Sequence, residues 1–192
     1  LAFTDGKLVL IDQTRLPQEL VTLTCNTVDE THDAIQRLVV RGAPAIGIAA
    51  AYGVCLAAAP SQPTRQDFLN AADHLATSRP TAVNLFWALD RMKSVIEATP
   101  DDSMLHQKLI QEAITIHDED REMCKNIGRN GATLLKDSKC VLTHCNAGGL
   151  ATSMWGTALA PIYHCHQQGQ AIEVFADETR PGCAPRLTAP LS

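Results

Sequence analysis

Aromatic residues are scarce in this chain, at 4%, and no stretch gathers Lys and Arg into a basic block. The second absence excludes more than the first. A surface for nucleic acid or an anionic membrane needs a concentrated positive field, and the formal net charge here is -5. The sequence therefore predicts no nucleic-acid partner and no membrane partner, and it leaves room for a local basic pocket that takes a small anion. The longest uncharged apolar run, over 45–59, falls short of the ~20 residues that span a bilayer, and its Gly and Ala content suits close helix packing. No basic-then-apolar leader opens the sequence, and the seven cysteines form an odd set without framework spacing. They read as reduced thiols of a cytoplasmic protein. Leu1 in place of Met suggests a processed, trimmed or incomplete chain. There is no internal repeat and no low-complexity tract.

What is present is an apolar content of 45% against 19% charged, rich in alanine, which marks a globular, helix-rich chain. Residues 7–12 and 20–25 read as strands. Thr27 with Glu30 forms a capping box, and Ala34, Ile35 and Leu38 share one stripe, so a helix is expected over 28–40. Arg41-Gly42-Ala43 breaks it, and Pro44 suits the first turn of a helix that continues to 59. Thr64 can cap the next helix, with Phe68, Leu69, Ala72, Leu75 and Ala76 inward. After Ser78-Arg79-Pro80 a further stripe of Leu85, Phe86, Leu89, Met92 and Ile96 follows. Beyond Pro100 the periodicity gives two helices or one long bent helix. From Cys140 the grammar changes to strand (140–144), small-residue turn (146–149), helix (150–168) and strand (172–176), the start of a βαβ unit. The predicted fold class is α/β: a small N-terminal α/β domain over 1–115, a connecting helix over 116–138, and an incomplete Rossmann-like parallel-sheet domain over 139–192.

In open α/β sheets ligands collect beyond the carboxyl ends of the strands, here Thr143-His144-Cys145-Asn146 and Asp177-Glu178-Thr179-Arg180. Cys145 falls between a strand end and an expected helix amino end, whose dipole favours a thiolate; the same position also suits a buried small hydrophobe. Arg41 and Arg79 each precede an expected helix N-terminus, where unpaired amides and a guanidinium together can hold a phosphate, or each is an ordinary surface charge. Gly42 allows close backbone approach. The spacing of Cys140, His144, Cys145, His164, Cys165 and His166 lacks the paired short-loop pattern of a structural zinc site, and His164 and His166 diverge around a helix. No metal is expected. Asn146-Ala147-Gly148-Gly149 lacks the spaced glycines of a dinucleotide fingerprint, so Asp177 as a ribose ligand is the weaker reading.

Taken together, Asp12-Gln13-Thr14 with Leu16-Pro17, the run from Val40-Arg41-Gly42-Ala43 to Pro44-Ala45-Ile46-Gly47, Ser78-Arg79-Pro80-Thr81-Ala82-Val83-Asn84, Thr143-His144-Cys145-Asn146-Ala147-Gly148 and Asp177-Glu178-Thr179-Arg180-Pro181 resemble the methylthioribose-1-phosphate isomerases, relatives of regulatory subunits of a translation-initiation exchange factor. The resemblance implies an α/β domain before a Rossmann-like one, usually in a homodimer, and conversion of 5-methylthioribose 1-phosphate to 5-methylthioribulose 1-phosphate in methionine salvage without a redox cofactor. By motif match Arg41, Gly42, Ala43 and Arg79 bind the sugar-phosphate substrate and Cys145 is catalytic. The chain departs from the family at Gly182-Cys183-Ala184-Pro185, where a substrate-contacting glutamine is expected, and it stops before the family's downstream aspartate and Asn-Lys contact. The resemblance thus implies a C-terminally truncated chain, inactive alone and marginally folded beyond about 138. Alternative expectations are a ribose-1,5-bisphosphate isomerase, a non-catalytic regulatory relative, or a vestigial fragment.

Overall fold

The computed structural model describes residues 1–58 and 63–176. The Asp177-Glu178-Thr179-Arg180-Pro181 motif and Cys183 lie outside them. Strands β1 (Ala2–Thr4), β2 (Lys7–Ile11) and β3 (Thr22–Cys25) form an antiparallel sheet in that order. In β2, Leu8 and Leu10 are buried while Lys7 is exposed and Val9 half-exposed, the period-2 pattern of a sheet with one covered face.

Helices cover that face: α1 (Val28–Gln36), α2 (Ala43–Cys55), α3 (Arg65–Ala76), α4 (Val83–Ala98) and α5 (Leu105–Leu134). A short 3-10 turn, Leu56–Ala58, extends α2. From Ala45 to Cys55 every residue of α2 is buried, as expected of a helix that is apolar all round, and α1, α3, α4 and α5 pack about it. The main core runs from Leu8 to Ile116. Strand β4 (Cys140–Thr143), helix α6 (Ala160–Gln167) and strand β5 (Glu173–Ala176) complete the described chain. β4 and β5 pair in parallel, Cys140 opposite Glu173 and Thr143 opposite Ala176, and α6 packs on α5. This is the expected βαβ order. Among the described residues no helix is long and apolar enough to cross a membrane.

Both cap readings hold. Thr27 and Glu30 close a full capping box on α1, and Thr64 does the same with Asp67 on α3. Three expectations need correction. The helix expected over 28–40 stops at Gln36, because Leu38 turns left-handed (φ 63°) and the amides of Leu38 and Val39 donate to the carbonyls of Ile35 and Ala34 at 3.2 and 2.9 Å. That is a Schellman end, and it frees Val39 and Val40 to enter the core. Phe86 lies off the buried stripe of α4, which is Leu85, Ala88, Leu89, Met92 and Ile96; it is one residue, or ~100°, out of phase and partly exposed. The helix expected over 150–168 begins only at Ala160. Between, side chains compete with helix bonds: Thr152 Oγ1 accepts the amides of Met154 and Gly156, and Ser153 donates twice to Asp120 of α5. Pro161 in the first turn then fits the late start. After Pro100 the single helix α5 is found.

Candidate anion and thiol site

The start of α2 is set by Gly42, whose φ of 92° and ψ of 137° belong to a region essentially restricted to glycine. It offers no capping side chain, and Pro44 follows in the first turn. The start of α4 is also without a side-chain cap. The two beginnings lie together, because a Cβ at Gly47 would come 2.7 Å from the carbonyl oxygen of Asn84, a distance only glycine permits. Two helix N-termini, each the positive end of its dipole, therefore share one neighbourhood.

Arg41 and Arg79 lead into these ends. Arg79 is not itself at a helix start, as the sequence suggested; it precedes a turn closed by the Ala82 amide on the Arg79 carbonyl at 3.1 Å, and α4 begins at Val83. Both arginines are half-buried. Their surroundings set them apart from every other described arginine. Arg15 is tied to Glu19, Arg37 to Asp33, Arg65 to Asp102, Arg91 to Glu112 and Glu119, Arg121 to Asp118, and Arg129 to Asn126. Among the described residues neither the Arg41 nor the Arg79 guanidinium has a hydrogen-bond or ion-pair partner. A half-buried guanidinium without a counterion is ready for an anionic ligand.

Cys145 stands two residues past β4, exposed, with φ at 70°. Positive φ in a non-glycine residue stores strain of the kind that collects at working sites. Its exposure rules out the reading as a buried small hydrophobe. The late start of α6 also removes the helix dipole that the sequence placed behind this thiol. Of the other described cysteines, Cys140 is exposed, whereas Cys25, Cys55, Cys124 and Cys165 are buried. Burial pushes the Cys25, Cys55 and Cys124 thiols up, keeping them protonated and unreactive. Thr143, the last residue of β4, is buried with its Oγ1 unpartnered.

The chain beyond Cys145 turns back onto the start of α2. Ala151 lies against Gly42, where any Cβ would overlap it, and its carbonyl accepts the Ala45 amide at 3.1 Å. Gln13 Nε2 donates to the Leu150 carbonyl at 2.8 Å, while Gln13 Oε1 is buried without a partner. Ser153 Oγ and its amide hold Asp120 at 2.6 and 2.8 Å. The fold thus seats residues 150–151, a few positions beyond Cys145, on Gly42 and Ala45 at the start of α2, and links them to Arg79 only through α4. Gln13 and Ala151 were given no role by sequence reasoning, and the run His117-Asp118-Glu119-Asp120, which reads from sequence as a solvated face, instead has His117 buried and Asp120 half-buried against Ser153. Only the Asp12-Gln13-Thr14 motif carried a signal, and its partner is 137 residues away. Among the described residues no three His, Cys, Asp or Glu side chains are grouped to hold a metal.

Fold and site together define an α/β chain in which the segment that follows an exposed strand-end thiol packs on the uncapped start of α2, itself next to the uncapped start of α4, with an unpaired arginine leading into each. The Initiation factor 2 subunit family model matches residues 39–191, and the chain belongs to that family. It is 61% identical over 183 residues to a methylthioribose-1-phosphate isomerase of Rhodopirellula baltica, covering 92% of this chain and 51% of the relative. It is 52% identical to a 5-deoxyribose 1-phosphate isomerase of Moorella thermoacetica, over 94% and 54% of the two chains. Among solved structures it resembles 5-methylthioribose 1-phosphate isomerase from Pyrococcus horikoshii OT3, with a TM-score of 0.88 and 38% identity over 96% of this chain and 54% of that one. It also resembles the translation initiation factor eIF-2B delta subunit from A. fulgidus, with a TM-score of 0.84 and 43% identity over 94% and 54%. The chain spans about half the length of the curated relatives it matches.

Proposed function

We propose that the protein is an aldose–ketose isomerase that converts 5-methylthioribose 1-phosphate to 5-methylthioribulose 1-phosphate, working in the cytoplasm as a homodimer. The observation that carries this reading is the packing of the chain just beyond Cys145, at Ala151, on Gly42 and Ala45 at the start of α2, with Arg41 and Arg79, the two described arginines that lack a counterion, leading into the neighbouring starts of α2 and α4. The names of the most similar isomerases support the substrate.

The roles follow from position. Arg41 and Arg79 neutralise the phosphate, and the backbone at Gly42 and Ala43 brings the positive start of α2 to it. C1 is locked as a phosphorylated acetal, so the ring opens first; hydrogen then moves from C2 to C1, oxidising C2 and reducing C1 with no net change. That balance needs no redox cofactor. Cys145, exposed at the strand end, is the group placed to exchange a proton with the reacting carbons or oxygens. Incubating the full-length protein with 5-methylthioribose 1-phosphate and following ketose formation by NMR tests the proposal. Appearance of the ketose is expected, and an unchanged substrate spectrum would overturn it.

A second reading, a non-catalytic binding subunit, draws on the likeness to the delta-subunit structure. It predicts no ketose, and no effect of Cys145→Ser on any retained partner binding. The exposed, strained Cys145 favours the enzyme.

A further inference from the structure

An apolar recess of about 360 Å³ opens where α2, α4 and α5 meet, walled by Pro44, Ile48, Val83, Trp87, Ile116 and Met123. Large apolar side chains are usually covered, yet Val83 is 78% exposed, Trp87 45% and Met123 57%. Grouped on one recess, they mark a place for an apolar ligand group. Two carboxylates border it, and both are already engaged: Glu119 with Arg91, and Asp120 with Ser153. They leave no unmet demand for a cation and would repel a phosphate. Trp87 is itself held, with the Arg91 guanidinium 5.1 Å from its ring centroid and Arg91 fixed by Glu112 and Glu119.

The two unpaired arginines are near neighbours of the recess wall along the chain. Arg41 stands three residues before Pro44, and Arg79 four before Val83, so their Cα atoms lie within about 11 Å and about 15 Å of its wall by chain length alone. A ligand that spans both features has an anionic end and an apolar end. 5-Methylthioribose 1-phosphate has this shape, with phosphate on C1 and a thioether on C5. The charges fix its direction, the phosphate toward Arg41 and Arg79 and the thioether toward the recess, where an aromatic ring and a methionine offer the soft contacts that sulfur favours.

We propose that this recess receives the C5 methylthio group and that Trp87, with Met123, sets the preference for a methylthio sugar over a 5-deoxy sugar. The inference rests on the isomerase reading above. The 5-deoxyribose 1-phosphate isomerase among the similar proteins supplies the informative competitor, since the two substrates differ only in whether C5 carries a methylthio group or hydrogen. Filling an apolar pocket with even one methylene is worth about 10- to 200-fold in kcat/KM.

The test measures kcat/KM for 5-methylthioribose 1-phosphate and 5-deoxyribose 1-phosphate in the full-length protein and in its Trp87→Ala, Trp87→Phe and Phe86→Ala variants, matched for melting temperature. Wild type should prefer the methylthio sugar by about tenfold or more, and Trp87→Ala should remove about tenfold of that preference. Trp87→Phe should keep most of it. Phe86→Ala, which changes an exposed ring of the same helix outside the recess wall, should leave the ratio unaltered. Turnover of both sugars with the same ratio in wild type and Trp87→Ala overturns the inference alone; turnover of neither sugar by wild type overturns the isomerase reading and the inference with it.

Discussion

Replacing Gly42 by alanine strikes the joint on which the site depends. The backbone there has φ 92° and ψ 137°, where a side chain costs about 1–3 kcal/mol before any contact is counted. The new Cβ would also overlap the Cα and Cβ of Ala151 and lie 2.7 Å from its carbonyl oxygen. The Cα and oxygen belong to the backbone and the Cβ is fixed to it, so none can swing aside as the end of a flexible side chain can. Relief requires the 148–153 segment to retreat by roughly an ångström, judged against ordinary carbon–carbon contact. That movement gives up the Ala45-to-Ala151 and Gln13-to-Leu150 hydrogen bonds, each worth about 1 kcal/mol net. Gly42→Ala should therefore cost about 3–5 kcal/mol when the segment retreats and loses both bonds, and more if the segment is held docked against the overlap. Urea unfolding followed by the fluorescence of Trp155, two residues beyond the segment, and Trp87 on α4, with hydrogen exchange at the Ala45 amide, separates these two outcomes. Adding Ala151→Gly should restore stability only in part, because the Cα and oxygen of residue 151 remain in the way. A wild-type urea midpoint together with undiminished protection of Ala45 in Gly42→Ala would refute the reasoning.

The remaining predictions are smaller. Arg41→Ala and Arg79→Ala should each raise KM for the sugar phosphate at least tenfold with little change in melting temperature, since neither guanidinium has an internal partner to lose among the described residues; unchanged KM would return the residue to an ordinary surface charge. His117 is buried and bonded through Nδ1 to the Tyr52 hydroxyl at 3.1 Å, and burial, then Arg121, hold its pKa below the usual histidine value. The unfolded chain binds the proton more readily, so this contribution to stability is complete above about pH 6.5 and is lost as pH falls through the lowered native pKa. Melting temperature should drop on acidification in wild type and less steeply in His117→Gln; equal slopes would contradict the assignment. The Tyr52 phenol, pushed up to about 12 by burial, stays neutral throughout. Leu38→Gly removes a side chain from a left-handed helix end and should stabilise by about 1 kcal/mol in urea titration, whereas a loss would show that the Leu38 side chain matters more than its strain.

Local chemistry was legible in the sequence and tertiary chemistry was not. The two cap residues, Pro44 in the first turn of α2, the βαβ order and the strand-end position of Cys145 depend on neighbours a few residues away, and each is found as read. Leu38 misled because its periodicity fits a helix, while the burial of Val39 and Val40 ends it. The 148–159 segment misled for a similar reason: Thr152 and Ser153 spend their hydrogen bonds on a turn and on Asp120, a residue far off in sequence. Arg41 and Gly42 stood out as a candidate site, but that Arg41 and Arg79 alone among the described arginines lack a partner appears only once the other charges are placed. Trp87 was hidden because the stripe of α4 accounts for the core without it.

The central claim is that Cys145, and no other described thiol, does chemistry on a sugar phosphate bound at Arg41 and Arg79. The most direct measurement compares turnover of 5-methylthioribose 1-phosphate by the full-length protein with that of its Cys145→Ser and Cys140→Ser variants, these being the two exposed cysteines among the described residues. Loss of about a hundredfold or more in kcat for Cys145→Ser, with KM and melting temperature little changed and Cys140→Ser close to wild type, is the predicted result. Undiminished kcat in Cys145→Ser would contradict it.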